Sequence, residues 1–501
     1  MTKIKIALYL LSAMIVVSCN KETSDLNNLE KGEGKGNTFA GMTISFNKSA
    51  LKAADTGQEE DEGTEAEKKI TTINLLSSVK DQSWTLGNAD EDGKFWLSTD
   101  VYKVAPWLTQ SGVQTMGLML NGVVGSFAGL SANTAANYIY GGSDGQAEQE
   151  LKTLANNEAQ SFVMTSKVAS ENIISGKAKD VVKNGSGKSD NVFPFDAERV
   201  VVKGIVKKDA SLIQDTKDGK GTLDLTTLKY APVNSATKTY LFTNNAGDRQ
   251  MTTQKYGDFK SAIHSSTVAS TANDAKTQGL IRLGNIGDAA KTGLYTARKV
   301  DENAATSKSD GFYFFENSVS DLSSVKVQGF YRLAYAKVYV KYTPKKVLVL
   351  EGDKLVEKDA SSAGLVDGTF YKGQTDGLIY GSKEAAKQSV IAKDQKVYVY
   401  TKGMCGYRVL WNRISTDAGK TVINADVRRN NVYLLTIKEI LGLGMPWDSS
   451  DPEDPNLPKD NTNDDSTVIP DNPNIEKQDT YMRVEAKVLK WNVIKRDVTL
   501  E

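Results

Sequence analysis

Histidine and cysteine are almost absent: in 501 residues there are one histidine, His264, and two cysteines, Cys19 and Cys405. That inventory excludes a disulfide framework, a Cys/His zinc cluster and most histidine-based nucleophilic chemistry. Net charge is missing too, because 62 Lys and Arg balance 62 Asp and Glu. No global field draws in a polyanion, so no nucleic-acid partner is expected. Proline is scarce at ten residues, and six of these (Pro446, Pro452, Pro455, Pro458, Pro470, Pro473) crowd one stretch. The apolar run Ile6 to Val17 is too short to cross a bilayer as a mature helix.

What is present points to strands. Gly, Thr, Ser, Asn, Val and Tyr dominate, which suits short strands joined by many turns, and the length exceeds what one hydrophobic core usually serves. Two domains are expected. Strand-like segments run over Ile70 to Leu76, Met116 to Val124, Phe162 to Lys167, Arg199 to Val206, Tyr240 to Thr243, Phe312 to Glu316, Arg332 to Tyr342, Val347 to Leu350, Val397 to Tyr400, Tyr407 to Trp411 and Asn431 to Ile440. Asn121-Gly122, Asp92-Gly93 and Asp367-Gly368 supply turn chemistry between them. Helical periodicity is confined to Ala147 to Ala155. Lys, Asp and Gly at Thr216 to Gly221 place the boundary between a domain at 53–217 and one at 218–445.

The two ends carry the information about fate. Lys3 and Lys5, the Ile6 to Val17 run and Val16-Val17-Ser18-Cys19 resemble a bacterial lipobox, which implies removal of residues 1–19 up to the cysteine and acylation of Cys19. The alternative is an ordinary signal peptide with an unmodified cysteine. Residues 20–52 form a polar tether and one alternating strand, Thr38 to Phe46, with Met42, Ile44 and Phe46 on one face. An acidic stretch, Asp55 to Glu67, should stay solvated. Lys48 and Lys52 lie between that strand and the acids, open to proteases. Residues 446–480 read as an extended spacer. In 481–501 two more strands follow, Tyr481 to Val488 and Trp491 to Leu500, the second with Trp491, Val493, Ile494, Val498 and Leu500. Two strands alone are marginal and need a partner sheet.

Three features imitate chemistry. Gly185-Ser186-Gly187-Lys188-Ser189 is like the end of a phosphate loop, but Val182 stands where its first glycine belongs and Asp190 to Pro194 opens no helix. Asn88, Asp90, Asp92 and Gly93 are spaced like a calcium loop whose closing carboxylate would fall on Thr99. Cys405 lies between strands as a small core residue rather than a nucleophile. No catalytic residue, metal site or cofactor is expected, and the chain is not read as an enzyme.

Cys19, the isolated early strand, Val427-Arg428-Arg429-Asn430-Asn431-Val432-Tyr433, Gly442-Leu443-Gly444 and the ending Gln478 to Leu500 together resemble the fimbrillins of Bacteroidales, builders of type V pili. The nearest likeness is to the shaft subunit of the minor, or short, fimbriae. That resemblance implies an all-β fold of two transthyretin-like β-sandwich domains in tandem, with a removable first strand and a C-terminal donor-strand extension. It implies a lipidated precursor at the outer membrane and a Lys/Arg-specific maturation protease. The mature form would sit in cell-surface fimbriae with tip and anchor proteins, supporting adhesion to host or bacterial receptors, colonisation and biofilm formation.

By position the cut falls after Lys52, with Ala53 as the new start, or else after Lys48; the family is usually cut after arginine, and this chain has none before Arg199. Met42, Ile44 and Phe46 would leave, and Trp491 to Leu500 of another copy would replace them. Five apolar side chains at about 1.5–3 kcal/mol each give roughly ten kcal/mol of association before ordering costs. Other readings are an accessory or anchor subunit, which would keep its lipid, and a glycan-binding lipoprotein using exposed tryptophans.

Overall fold

In the computed structural model the described residues are 37–46, 60–61, 63–85, 95–98, 101–122, 127, 129–141, 151, 153–156, 161–233, 235–242, 264–265, 280–281, 298–304, 311–319, 333–411, 427–446 and 482–491. They are all-β in character, with helices of one or two turns only.

The first sheet has ten strands. Its path runs Gln82–Thr85, Thr72–Ser77, Gly112–Leu120, Met164–Thr165, Val192–Arg199, Asn37–Phe46, Val101–Val104 and Phe95–Ser98, with Ala169–Ile173 beside Gly112–Leu120 and Trp107–Gln110 beside Asn37–Phe46. It wraps a core of Ile73, Leu75, Trp107, Met116, Leu118, Leu120, Phe193 and Phe195. Period-two alternation in Val192–Arg199 puts Phe193, Phe195 and Ala197 inside while Pro194 and Asp196 face out. The strand expected over Met116 to Val124 starts earlier and stops at Leu120. Asn121 takes a left-handed φ of 58° there, and its Oδ1 accepts the Thr71 amide at 2.7 Å.

Two five-stranded sheets face each other in the second half. One runs Glu60–Asp61, Met482–Trp491, Asn431–Ile440, Val202–Lys208, Phe312–Phe314; the other runs Arg298–Lys299, Gly221–Val233, Tyr335–Pro344, Met404–Leu410, Met445–Pro446. Val206, Tyr433, Leu435 and Ile437 from the first pack with Leu223, Tyr230, Val338 and Val340 from the second, so this half is a β-sandwich. A further five-stranded sheet, built from Lys346–Glu351, Lys354–Asp359, Phe370–Gly373, Ile379–Tyr380 and Val397–Tyr400, was not anticipated. It holds its own small core of Tyr380, Ala385, Ala386, Val397 and Val399.

The chain leaves the first sheet at Arg199 and enters the sandwich at Val202, upstream of the expected 217/218 division. Thr216 to Gly221 is instead a tight turn within the sandwich: the Thr216 amide donates to the Gly221 carbonyl at 3.1 Å, and Gly219 has φ +70°. Turn and linker share the same residue chemistry, which is why the position misled.

Candidate functional site

The first strand, Asn37–Phe46, is inserted rather than appended. One edge pairs in parallel with Val192–Arg199, Gly41 opposite Val192 through Phe46 opposite Ala197. The other edge pairs antiparallel with Trp107–Gln110 over its first half and with Val101–Val104 over its second. Its sequence permits this because alternate residues are apolar, and Ala40, Met42 and Ile44 are buried in the first core. Thr43 and Ser45 face outward, Ser45 donating to Asp196. Met42 and Ile44 therefore take the inward face expected of them. Phe46 pairs through its backbone, and its side chain lies outside the described residues.

The start of this strand is pinned by a polar knot. Asn191, at φ 57°, donates from Nδ2 to the Phe39 carbonyl at 3.0 Å and to the Ile174 carbonyl at 2.8 Å, while its own carbonyl accepts the Gly41 amide at 2.9 Å. Thr38 Oγ1 donates to the Ile174 carbonyl at 2.8 Å and accepts the Lys177 amide at 2.9 Å. The short helix Lys179–Asn184 lies across the strand so closely that a Cβ on Gly41 would sit 2.8 Å from Val182 Cγ1. Glycine is required there by space.

A second cluster ties the end of the acidic stretch, expected to stay solvated but buried at Glu67, to the junction between sheet and sandwich. Thr64 and Glu67 form a reciprocal cap, the Thr64 amide donating to Glu67 Oε2 at 2.7 Å and the Glu67 amide to Thr64 Oγ1 at 3.2 Å. Glu67 Oε1 accepts from Lys203 Nζ at 2.8 Å and from the Tyr313 hydroxyl, all within the interior. The Glu67 carbonyl takes two guanidinium bonds from Arg199, at 3.0 and 2.8 Å, and Arg199 Nη1 reaches Asn430 Oδ1 at 3.3 Å. Beside it Arg429 pairs with Glu316 at 2.7 Å, both buried, and donates to Thr239 Oγ1 at 2.9 Å. Sequence reading missed these charges; the Thr64-x-x-Glu67 cap pattern was the available signal.

The C-terminal strand Met482–Trp491 belongs to the chain's own sheet, antiparallel to Asn431–Ile440 from Met482 opposite Ile440 to Lys490 opposite Asn431. Met482 is buried in the sandwich core. Of the Tyr481 to Val488 strand expected as part of the donor extension, Met482 to Val488 is thus seated in the chain's own sheet. Lys490 and Trp491 also pair in parallel with Glu60 and Asp61. Trp491 is described by backbone alone. Cys19, Lys48, Lys52, Ala53, Val493, Ile494, Val498 and Leu500 lie outside the described residues, as does the Asn88 to Gly93 loop.

The phosphate-loop imitation follows the helix Lys179–Asn184 instead of preceding one, and leads through a 3-10 turn at Lys188–Asp190 into the strand Val192–Arg199. Cys405 is buried, its thiol pushed up to about 11 by burial and within 3.5 Å of the Val340 carbonyl. Among the described residues no group of three His, Cys, Asp or Glu could hold a metal ion.

Residues 398–497 match the family model described as major fimbrial subunit protein type IV, fimbrillin, C-terminal. Among solved structures, a fimbrilin from Porphyromonas gingivalis aligns at 15% identity and TM-score 0.45, over 92% of this chain and 99% of that one. A Parabacteroides distasonis protein assigned to cell adhesion aligns at 12% and 0.40, over 91% and 100%. The tip fimbrial protein of P. gingivalis, with a C-terminal truncation, aligns at 11% and 0.36, over 91% and 100%.

Proposed function

We infer, from the match of residues 398–497 to the fimbrillin C-terminal family model, that the chain is a fimbrillin, a structural subunit of a fimbrial shaft that polymerises by strand exchange. The observation that carries this reading is the placement of the first strand. It is hydrogen-bonded along both edges and fills the first core with Met42 and Ile44, yet it precedes every other described strand. A strand so placed can leave without unthreading the rest, and its departure opens a groove between Val192–Arg199 and the Val101–Gln110 segment.

In the proposed cycle the leader ends at Cys19, whose acyl groups hold the precursor at the outer membrane. A Lys/Arg-specific protease cuts after Lys52, or after Lys48, and the first strand departs. The tail of another copy, carrying Val493, Ile494, Val498 and Leu500 beyond Trp491, then enters the groove as an added strand. Each contact is head-to-tail, so the assembly grows without closing. Because Met482–Trp491 is held in its own sheet, the donor in this reading is the stretch after Trp491. Tip and anchor proteins complete the fibre at the cell surface.

N-terminal sequencing of purified fibres tests the reading, with Ala53 expected at the start of the polymerised chain. Deleting residues 492–501 should leave folded, exported monomers and no fibre; fibres of normal length from that deletion would refute strand exchange. An intact lipidated Cys19 in the fibre would assign the chain to the anchor instead.

A further inference from the structure

Two neighbouring strands of the sandwich, Tyr335–Pro344 and Met404–Leu410, pair directly, with Lys341 opposite Met404. A short turn would join them. Residues 345–403 instead build the extra five-stranded sheet around its own core, set against the sandwich where Phe370 stacks on Tyr400 at 4.7 Å and lies 5.9 Å from the Tyr342 ring. An excursion of this length between adjacent strands is of the kind that carries function.

That unit holds up one loop, between the helix Lys383–Lys387 and the strand Val397–Tyr400. Its ends are tied: the Asp394 amide donates to the Lys387 carbonyl at 3.0 Å, and Asp394 takes φ 58° to close it. Beneath it sits a polar hub. Ser389 Oγ, Gln395 Nε2 and the Tyr380 hydroxyl each donate to Asp376 Oδ2 at 2.6 Å, and Ser389 Oγ accepts the Ala392 amide at 3.1 Å. Ser389 and Gln395 are buried, yet Val390 and Ile391 between them project outward, 93% and 76% exposed. Leu378, on the adjoining turn, is also exposed, its amide bonded to the other oxygen of Asp376 at 2.9 Å. Scattered exposed apolar residues need no explanation, but two in succession at the apex of a tied loop make a pre-organised contact.

We propose that this apex inserts into an anionic lipid bilayer. From Lys383 to Lys396 four lysines stand against two acids, Glu384 and Asp394, and Lys387, Lys393 and Lys396 are exposed. The loop therefore offers an aliphatic tip flanked by ammonium groups. Protein partners are gripped mainly by aromatic and arginine side chains, and lysine is depleted where they meet. This tip has neither aromatic nor arginine. A bilayer suits it: Val390 and Ile391 enter the acyl boundary while the lysines stay at the phosphates. Insertion by a single copy needs no polymer. In the fibre proposed above, repetition of the loop would turn a weak contact per copy into firm attachment.

Co-sedimentation with vesicles tests this, using the chain from Asn20 onward so that neither leader nor acyl group contributes. The native chain should sediment with phosphatidylcholine vesicles that contain phosphatidylglycerol and stay in solution with phosphatidylcholine alone. Val390→Asp with Ile391→Asp should weaken that partition at least about 30-fold, and Lys387→Glu with Lys393→Glu about tenfold or more, each with an unchanged circular dichroism spectrum. A polarity-sensitive dye on Ile391→Cys should shift to the blue on the mixed vesicles, whereas one on Ile213→Cys, exposed on the sandwich, should not; buried Cys405 stays unlabelled. A native chain that ignores both kinds of vesicle, an aspartate variant that sediments like the native chain, or equal shifts from the two dyes overturns the proposal. A native dimer that the aspartate pair dissolves, with vesicles left unbound, would give the apex to a second copy instead.

Discussion

Ile44→Ala should loosen the first strand without unfolding the chain. Ile44 is 1% exposed and packs in the core with Met42, Trp107 and Phe193. Truncating such a side chain costs about 2–5 kcal/mol, the transfer term plus the cavity left behind. The two large described side chains that anchor the strand, Met42 and Ile44, together contribute about 3–6 kcal/mol by burial, so this one change removes a large share of the hold. At about 1.4 kcal/mol per tenfold, local opening should rise roughly 30- to 3000-fold. Native-state hydrogen exchange reads this directly, because the Gly41 amide, bonded to the Asn191 carbonyl at 2.9 Å, is freed only when the strand lifts. Amides in the sandwich, such as those of Asn431–Ile440, should keep their protection. Thr43→Ala, on the outer face, should change exchange by less than tenfold. If Ile44→Ala leaves the Gly41 amide protected to within about threefold of the native chain, the first strand is not held by its inward face and the reasoning above is wrong.

Three further outcomes follow from buried groups. Lys203→Met should destabilise the chain by about 3–5 kcal/mol by stranding the Glu67 carboxylate, and adding Glu67→Gln should restore part of the loss; urea titration measures both. Cys405 should resist iodoacetamide at neutral pH in the folded protein, since burial raises its thiol to about 11, and should react promptly in denaturant. For Asp376, burial pushes the carboxyl up, but hydrogen bonds from Ser389, Tyr380, the Leu378 amide and Gln395 outweigh it and hold the group below its ordinary value of 3.8. A carboxyl depressed in the fold stabilises above its unfolded value and loses that contribution as pH falls through the folded one. The Lys346–Tyr400 sheet should therefore withstand acidification to about pH 4 and loosen below it, and Asp376→Asn should flatten that response in a fluorescence melt against pH.

Local pattern was legible in the sequence, and pairing was not. Alternation in Thr38 to Phe46 and the run Asn431 to Ile440 announced strands that the structure places at Asn37–Phe46 and Asn431–Ile440. Nothing local tells that the first strand lies parallel to Val192–Arg199, some 150 positions away along the chain, because parallel partners meet through long crossovers without a turn signature. In the extra five-stranded sheet Val347 to Leu350 and Val397 to Tyr400 were read as strands, but the half-exposed Lys354–Asp359 was not, and nothing local told that they share a sheet. Of the buried charges only Glu67 carried a local signal, the cap pattern with Thr64, and without it Glu67 reads as one more acid in a solvated run. Met42 and Ile44 lie on the buried face of their strand, as the alternation suggested, whereas Met482 to Val488 pairs within the chain's own sheet.

Glu67 also bears on what the proposed scission would accomplish. It stands between the basic residues after Phe46 and the strand Thr72–Ser77, fastened to Arg199 and Lys203 on the far side of the junction. In the proposed cycle, a break between Phe46 and Glu60 would cut the covalent link of the first strand while Thr72–Ser77 stayed moored through Glu67. Such a cut would leave the first strand held by its pairing and packing alone and would not begin an unravelling of the rest.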